Sequence, residues 1–243
     1  MKQHLEHDEV EYYYDSHPTE EDLMGETWIH AELTTYLKLV LRWQFHGHPC
    51  AIIENMNVYQ TFNKLEYPLA PDLAVIKGVE EQDVRSWKID RTGPAPQVVF
   101  EIASEETWEN DVDHKPWRYA RMGVKEYFVF DPDASPRKRR RRRKLQGWQY
   151  NRSTGEMEVM APDAQGRLWS QHLESFLVPD GKWLRLYDNA GQQRLTQAEA
   201  EARRAEAETQ RAETEAQRAE IFQQRAEALA EKLRSLGINP DEV

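Results

Sequence analysis

The stretch QVVFEIAS, residues 97–104, narrows the choice of fold more than any other. Alternation puts Val98, Phe100 and Ile102 on one face of an extended strand, and Val99, Glu101 and Ala103 on the other. Both faces are apolar apart from Glu101, so the strand must be covered on both sides, as an inner strand of a layered sheet is. The neighbouring segments supply the layers. ETWIHAELTTYLKLVLRWQFHG carries Leu33, Tyr36, Leu37, Val40 and Leu41 at helical spacing, with Gly47 as a stop. CAIIENMNVYQTF reads as a strand with a bulge or turn near Asn55, and APDLAVIKG as a short strand entered at Pro71 and left at Gly78. DHKPWRYARMG reads as a helix with Asp113 as N-cap, Pro116 in its first turn and Gly123 as C-cap. KEYFVFDP is a further strand. This order predicts an α/β fold: a mixed sheet flanked by helices. Weaker strands follow at GWQYN, EMEVMAP and KWLRLYD.

Composition agrees with a packed domain plus something extra. The 243 residues are 39% hydrophobic, with eight Trp, ten Tyr and seven Phe. A net charge of −11 argues against a protein that coats nucleic acid, although an average can hide a basic patch. A single cysteine, Cys50, excludes an internal disulfide framework and fits a reducing compartment. No stretch approaches the roughly 18 apolar residues of a membrane span, so the expected location is cytoplasmic.

Three regions are expected: an acidic arm (1–25), the α/β domain (26–192) and a tail (193–243). In the tail the composition turns to Ala, Glu, Gln and Arg, and RAE recurs at 204, 211, 218 and 225. The step of seven predicts a helical coiled coil. Its seam runs through Leu195, Ala198, Ala202, Ala205, Thr209, Ala212, Ala216 and Ala219, then shifts phase to Phe222, Ala226, Leu229, Leu233 and Leu236. Alanines bury little area, so the leucines at the end carry most of any attraction.

An ionised Glu101 inside a strand is costly unless a cation or several hydrogen bonds meet it. Taken alone, it is accounted for by a structural ion pair or a strand end. A second acid changes the balance. Asp72 follows Pro71 and opens the apolar run LAVI, at the start of a neighbouring strand. Two carboxylates on adjacent strands form a hard oxygen site suited to Mg²⁺ or Mn²⁺. Such an ion can act on a phosphodiester.

This arrangement resembles the PD-(D/E)XK nuclease superfamily, with Pro71-Asp72 as its PD and Glu101 as its acid. The lysine expected two residues after Glu101 is absent, since Ala103 stands there. Within the superfamily the chain looks most like the Uma-two family of endonucleases. The residues that carry this are MGETWIH, APDLAVIKGV, VVFEIAS, the spacing of Lys115, Tyr119, Gly123 and Val124, EYFVFDP, and LRLYD before the tail. The resemblance implies a restriction-endonuclease-like fold and a Mg²⁺- or Mn²⁺-dependent DNA endonuclease. It implies that the lysine has moved to the following helix as Lys115, that Asp72 and Glu101 hold the metal, and that Glu32 on the first helix adds a further acid. A lysine in a helix's first turn faces the positive end of the macrodipole, at a cost of a few tenths to about 1 kcal/mol.

PRKRRRRRK, residues 136–144, holds eight consecutive cations: Arg137, Lys138, Arg139, Arg140, Arg141, Arg142, Arg143 and Lys144. Such a run cannot be an inner strand; the expectation is an edge or loop that touches DNA backbone without sequence preference. HGHPC offers His46, His48 and Cys50, but no second cluster completes a zinc site. Expected partners are DNA, a second copy of the chain in a homodimer, and a coiled-coil protein partner. The alternative reading is a catalytically inactive nuclease-like DNA-binding or scaffolding protein that acts through its tail. The discriminating observation is whether Asp72 and Glu101 converge, with Lys115 beside them.

Overall fold

A computed structural model describes residues 28–60, 67–134, 142–237 and 239. The acidic arm and Arg137–Arg141 lie outside the described residues. The chain divides into two compact units, Met1–Arg194 and Leu195–Val243.

The first unit opens with helix α1 (Trp28–Gln44). Its Leu33, Leu37, Val40 and Leu41 are fully buried, as the helical spacing requires. Strands β1 (Cys50–Glu54), β2 (Val58–Tyr59), β3 (Leu73–Lys77), β4 (Trp87–Lys88) and β5 (Val98–Ile102) follow. A π-helical turn (Asn110–His114) then leads into α2 (Lys115–Met122), which Gly123 closes at φ 85°. Next come β6 (Glu126–Phe130), β7 (Leu145–Asn151) and β8 (Glu156–Val159). The main sheet has the order β1-β3-β5-β6-β7-β8. Within this sheet only the β5–β6 pair is parallel, and the helical run between them makes that crossover; β2 and β4 pair in parallel apart from it. The expected mixed α/β fold is the observed one. At Asn55, the place expected for a bulge or turn, the chain bends after β1 with φ at 47°.

The sheet separates two apolar layers. Val98, Phe100 and Ile102 pack with α1, while Val99 and Ala103 pack with Tyr119 and Met122 of α2. Every residue of β5 is buried. The alternation around Glu101 therefore sorts the strand between the two layers, and Glu101 belongs to the α2 side.

A second sheet, β11-β10-β9, comprises β9 (Leu168–Ser170), β10 (Ser175–Asp180) and β11 (Trp183–Tyr187). Of these only β11 is apparent in the sequence. β10 carries Pro179, which demotes a strand pattern; the proline is accommodated because it pairs with β11 alone, beyond the end of β9.

The second unit is one helix, α3 (Gln197–Ser235). Thr196 caps it: its hydroxyl accepts from the Glu199 N–H while the Glu199 carboxylate accepts from the Thr196 N–H. No described helix is long and apolar enough to cross a membrane.

Candidate active site

Strand register brings the two acids together. Antiparallel pairing sets Leu73 against Phe100, Ala74 against Val99 and Val75 against Val98. Continued by one residue, it sets Asp72 opposite Glu101. Directly opposed residues point to the same face, with Cβ atoms about 5 Å apart. Asp72 Oδ2 accepts a hydrogen bond from the Ile102 N–H at 2.6 Å, which ties the aspartate to the strand that carries Glu101. Its other oxygen, Oδ1, stands 3.0 Å from Nε2 of His30 in the first turn of α1.

Glu101 is 3% exposed. Its Oε1 accepts from the Tyr119 hydroxyl at 2.6 Å and pairs with Lys115 Nζ at 3.2 Å. Lys115 Nζ also pairs with Asp111 Oδ1 at 2.8 Å. Burial pushes the Glu101 carboxyl well above its ordinary value; Lys115 pulls it down, while the charges of Asp72 and Asp111 push it further up. Burial raises Asp111 too, again against the pull of Lys115. Tyr119 is held well above the phenol range by burial and then by the Glu101 charge. The site thus holds three carboxyl groups around one ammonium.

The helix that delivers Lys115 begins earlier than Asp113. Ser104 caps it, its hydroxyl accepting from the Glu106 and Thr107 N–H groups at 3.2 Å, and the Thr107 hydroxyl accepts in return from the Ser104 N–H. The chain is helical from Trp108, so Lys115 lies about two turns in. The first-turn dipole argument for Lys115 therefore falls away, and Asp113 is not the cap. The π-helical turn admits Pro116. The Lys115 N–H donates to the Asn110 carbonyl, five residues back, and the next donor in that phase would be Pro116, which has none. The Asp111 carbonyl left over accepts instead from the Tyr127 hydroxyl at 2.8 Å.

Asp72, Glu101 and Lys115 are brought together. Glu32 is not: it is exposed, about 200° around α1 from His30, so α1 offers the site a histidine rather than a glutamate. Sequence reasoning missed both Asp111 and His30. The four-residue step from Asp111 to Lys115 is the only local signal for the first.

Of the cationic run, Arg142 turns inward. It is 8% exposed, with Nε 3.1 Å from Asp131 Oδ2 and Nη1 donating to the Ser104 carbonyl at 3.0 Å. It therefore braces the start of the site helix and is taken up within the protein, unlike the expected backbone contact. Arg143 is exposed, and Lys144 is partly exposed, its Nζ 3.5 Å from the Pro132 carbonyl.

A divalent ion suits this donor set. Mg²⁺ commonly takes one or two carboxylates and completes its shell with water and phosphate oxygens. Asp72 and Glu101 supply two hard carboxylates on one face, and both described contacts of Glu101 run to Oε1 rather than Oε2. Among the described residues, no cluster of three His, Cys, Asp or Glu side chains closes a cage around an ion.

A six-stranded mixed sheet between helical layers, with an acid before β3 and another within β5, defines the restriction-endonuclease-like class of α/β proteins. The chain belongs to the Uma2 family, described as "Putative restriction endonuclease", whose model matches residues 3–170. One similar solved structure is a crystal structure of a "putative nuclease belonging to DUF820" from Anabaena variabilis. It is 15% identical with a TM-score of 0.41, over 65% of this chain and 74% of that one. No curated protein matches the chain.

Proposed function

We propose that the protein is a DNA endonuclease that hydrolyses phosphodiester bonds at the Asp72–Glu101 site with Mg²⁺ or Mn²⁺. The observation that carries this reading is the opposition of two acids across β3 and β5 with a buried lysine on one of them. Three carboxyls and one ammonium leave a double negative charge when all are ionised, which a dication neutralises. Asp72 and Glu101 are the residues that would hold the ion. When bound, it would supply Lewis acidity toward the phosphodiester and positive charge against the developing one.

The chain's own groups do the rest. Lys115 favours the ionised form of Glu101 against burial and holds its carboxylate in place. Tyr119 donates to the same oxygen and orients the group. His30 and the Ile102 N–H fix Asp72 between them. Arg143 and Lys144, the described end of the cationic run, offer charge to DNA backbone, and Arg142 serves the helix start instead.

Incubation of purified protein with supercoiled plasmid and Mg²⁺ or Mn²⁺ tests the proposal. Cleavage is expected from the parent protein and lost in both Asp72→Asn and Glu101→Gln. Cleavage that persists in both variants overturns the assignment. Inertness with both metals, on supercoiled, linear and single-stranded DNA, favours a non-catalytic protein in which Lys115 is a structural counter-ion.

A further inference from the structure

Helix α3 leaves its apolar residues in water. Among the described residues, none of α3 is buried; Phe222 and Leu229 are 68% and 60% exposed, and Leu236 at its C-cap is 68% exposed. A helix capped at Thr196 and rich in alanine can persist as a single rod, but its large side chains then lack a partner. The geometry points to one occupant: a second copy of α3, antiparallel, with the twofold axis at Ala219. This inference concerns α3 by itself and does not rest on the nuclease reading.

Three observations converge on that axis. The first is spacing. The seam advances in alternate steps of three and four residues as far as Ala219, where two steps of three follow in succession: Ala216, Ala219, Phe222. The seam positions are therefore mirrored about Ala219, as an axis perpendicular to the helix requires.

The second is size. The mirror sets every large seam residue of the C-terminal half against a small one of the N-terminal half, while Ile221 lies off the seam. Phe222 meets Ala216, Leu229 meets Thr209, Leu233 meets Ala205 and Leu236 meets Ala202, while Ala212 meets Ala226. Each layer then pairs a large side chain with a small one, or two small ones, which lets facing layers interdigitate at even separation. A parallel pair would stack Phe222 on Phe222 at one end and alanine on alanine along the other.

The third is charge. In the N-terminal half the positions flanking the seam are glutamates on both sides: Glu199, Glu206, Glu213 and Glu220 on one, Glu201, Glu208 and Glu215 on the other. A parallel copy would bring these two sides together, Glu201 against Glu206, Glu208 against Glu213 and Glu215 against Glu220, and like charges repel. In the C-terminal half the flank on the second side is Arg225 and Lys232. The antiparallel arrangement centred on Ala219 faces Glu215 with Arg225 and Glu208 with Lys232, each pair formed twice. One register thus satisfies spacing, volume and charge together.

The test uses the full chain with Cys50→Ser. Chains carrying Ala212→Cys are mixed with chains carrying Ala226→Cys, oxidised, and the disulfide-linked peptides identified by mass. The antiparallel register gives the mixed 212–226 link; links only between like positions would overturn it, because a parallel pair makes those. Sedimentation equilibrium of the parent chain should show a dimer. A monomer at several hundred micromolar overturns the proposal and leaves a different protein as the occupant. Glu208→Lys with Glu215→Arg should weaken the dimer at least tenfold, and adding Arg225→Glu with Lys232→Glu should restore it. Failure of that rescue also overturns the register.

Discussion

Two buried glutamates stand on neighbouring parallel strands, Glu101 on β5 and Glu126 on β6, and they are satisfied in opposite ways. Glu126 is fully buried and takes hydrogen bonds from fixed neutral donors: the Ser170 hydroxyl, the Gln171 N–H at 2.8 Å and the His172 N–H at 3.4 Å. These come from the last residue of β9 and the turn after it, so the carboxylate pins the small sheet to the large one. Glu101 takes a lysine and a tyrosine hydroxyl, and it faces two more acids. A carboxylate met by backbone and hydroxyl donors is part of the frame. One crowded by its own kind, with a single ammonium to share, keeps an unmet demand for positive charge.

The difference sets what each substitution should do. The largest effect is expected from Glu101→Gln. Cleavage should fall by roughly a thousandfold, about 4 kcal/mol of transition-state stabilisation, with the thermal midpoint unchanged or raised. A variant that loses stability but keeps its rate would make Glu101 another Glu126. Next is Lys115→Met, which strands two buried carboxyls and should cost about 3–4 kcal/mol of stability. The folded value of Glu101 lies above its unfolded one, so its charge opposes folding. That deficit is absent below the unfolded value and grows as pH rises toward the folded one. Without Lys115 the window extends upward, so the variant's melting temperature should fall further below the parent's as pH is raised. An equal difference at all pH values would mean that Lys115 acts through packing.

Glu126→Ala should lose about 3 kcal/mol of stability through stranded donors, yet keep its cleavage rate per folded molecule. A lost rate in folded protein would erase the contrast between the two residues. The smallest effect concerns Cys50, whose thiol burial pushes from 9.0 up to about 11. Its native state holds a proton that the unfolded chain releases between those values, so stability declines slightly with rising pH there. Alkylation by iodoacetamide at mildly alkaline pH should be slower in native than in unfolded protein. Rapid native labelling would point to a reactive thiol that the structure gives no reason to expect.

How much of this was legible in the sequence follows from the range of each interaction. Glu101 announced itself because a charge inside an apolar alternation is a local anomaly, and Pro71-Asp72 did so by standing before an apolar run. Their opposition across β3 and β5 needed only the correct pairing of two neighbouring strands. Glu126 gave no sign. At the first position of EYFVF it looks like a residue that reaches water, and its partners lie 44 to 46 residues away. His30 was missed in favour of Glu32 although it continues the apolar stripe of α1, three residues before Leu33 and seven before Leu37, which Glu32 does not. The helix start was misplaced as well. Pro116 suggests a first turn by local rules, while Ser104 and the Tyr127 hydroxyl, each remote from Pro116 in sequence, make an earlier start workable.

The wide turn at Asn110–His114 has a consequence for how this chain tolerates changes of length. A uniform α-helix from the Ser104 cap to Gly123 would fix the rotational phase of every side chain between them. One surplus residue, absorbed in a single loose coil, lets the two ends be anchored independently: the beginning by its cap, the end by Tyr119 against Glu101. Deleting Val112, Asp113 or His114 would force a choice between the anchors and swing Asp111 about 100° around the axis relative to Lys115. An indel here would act as a rotation, felt at the carboxylates rather than at the surface.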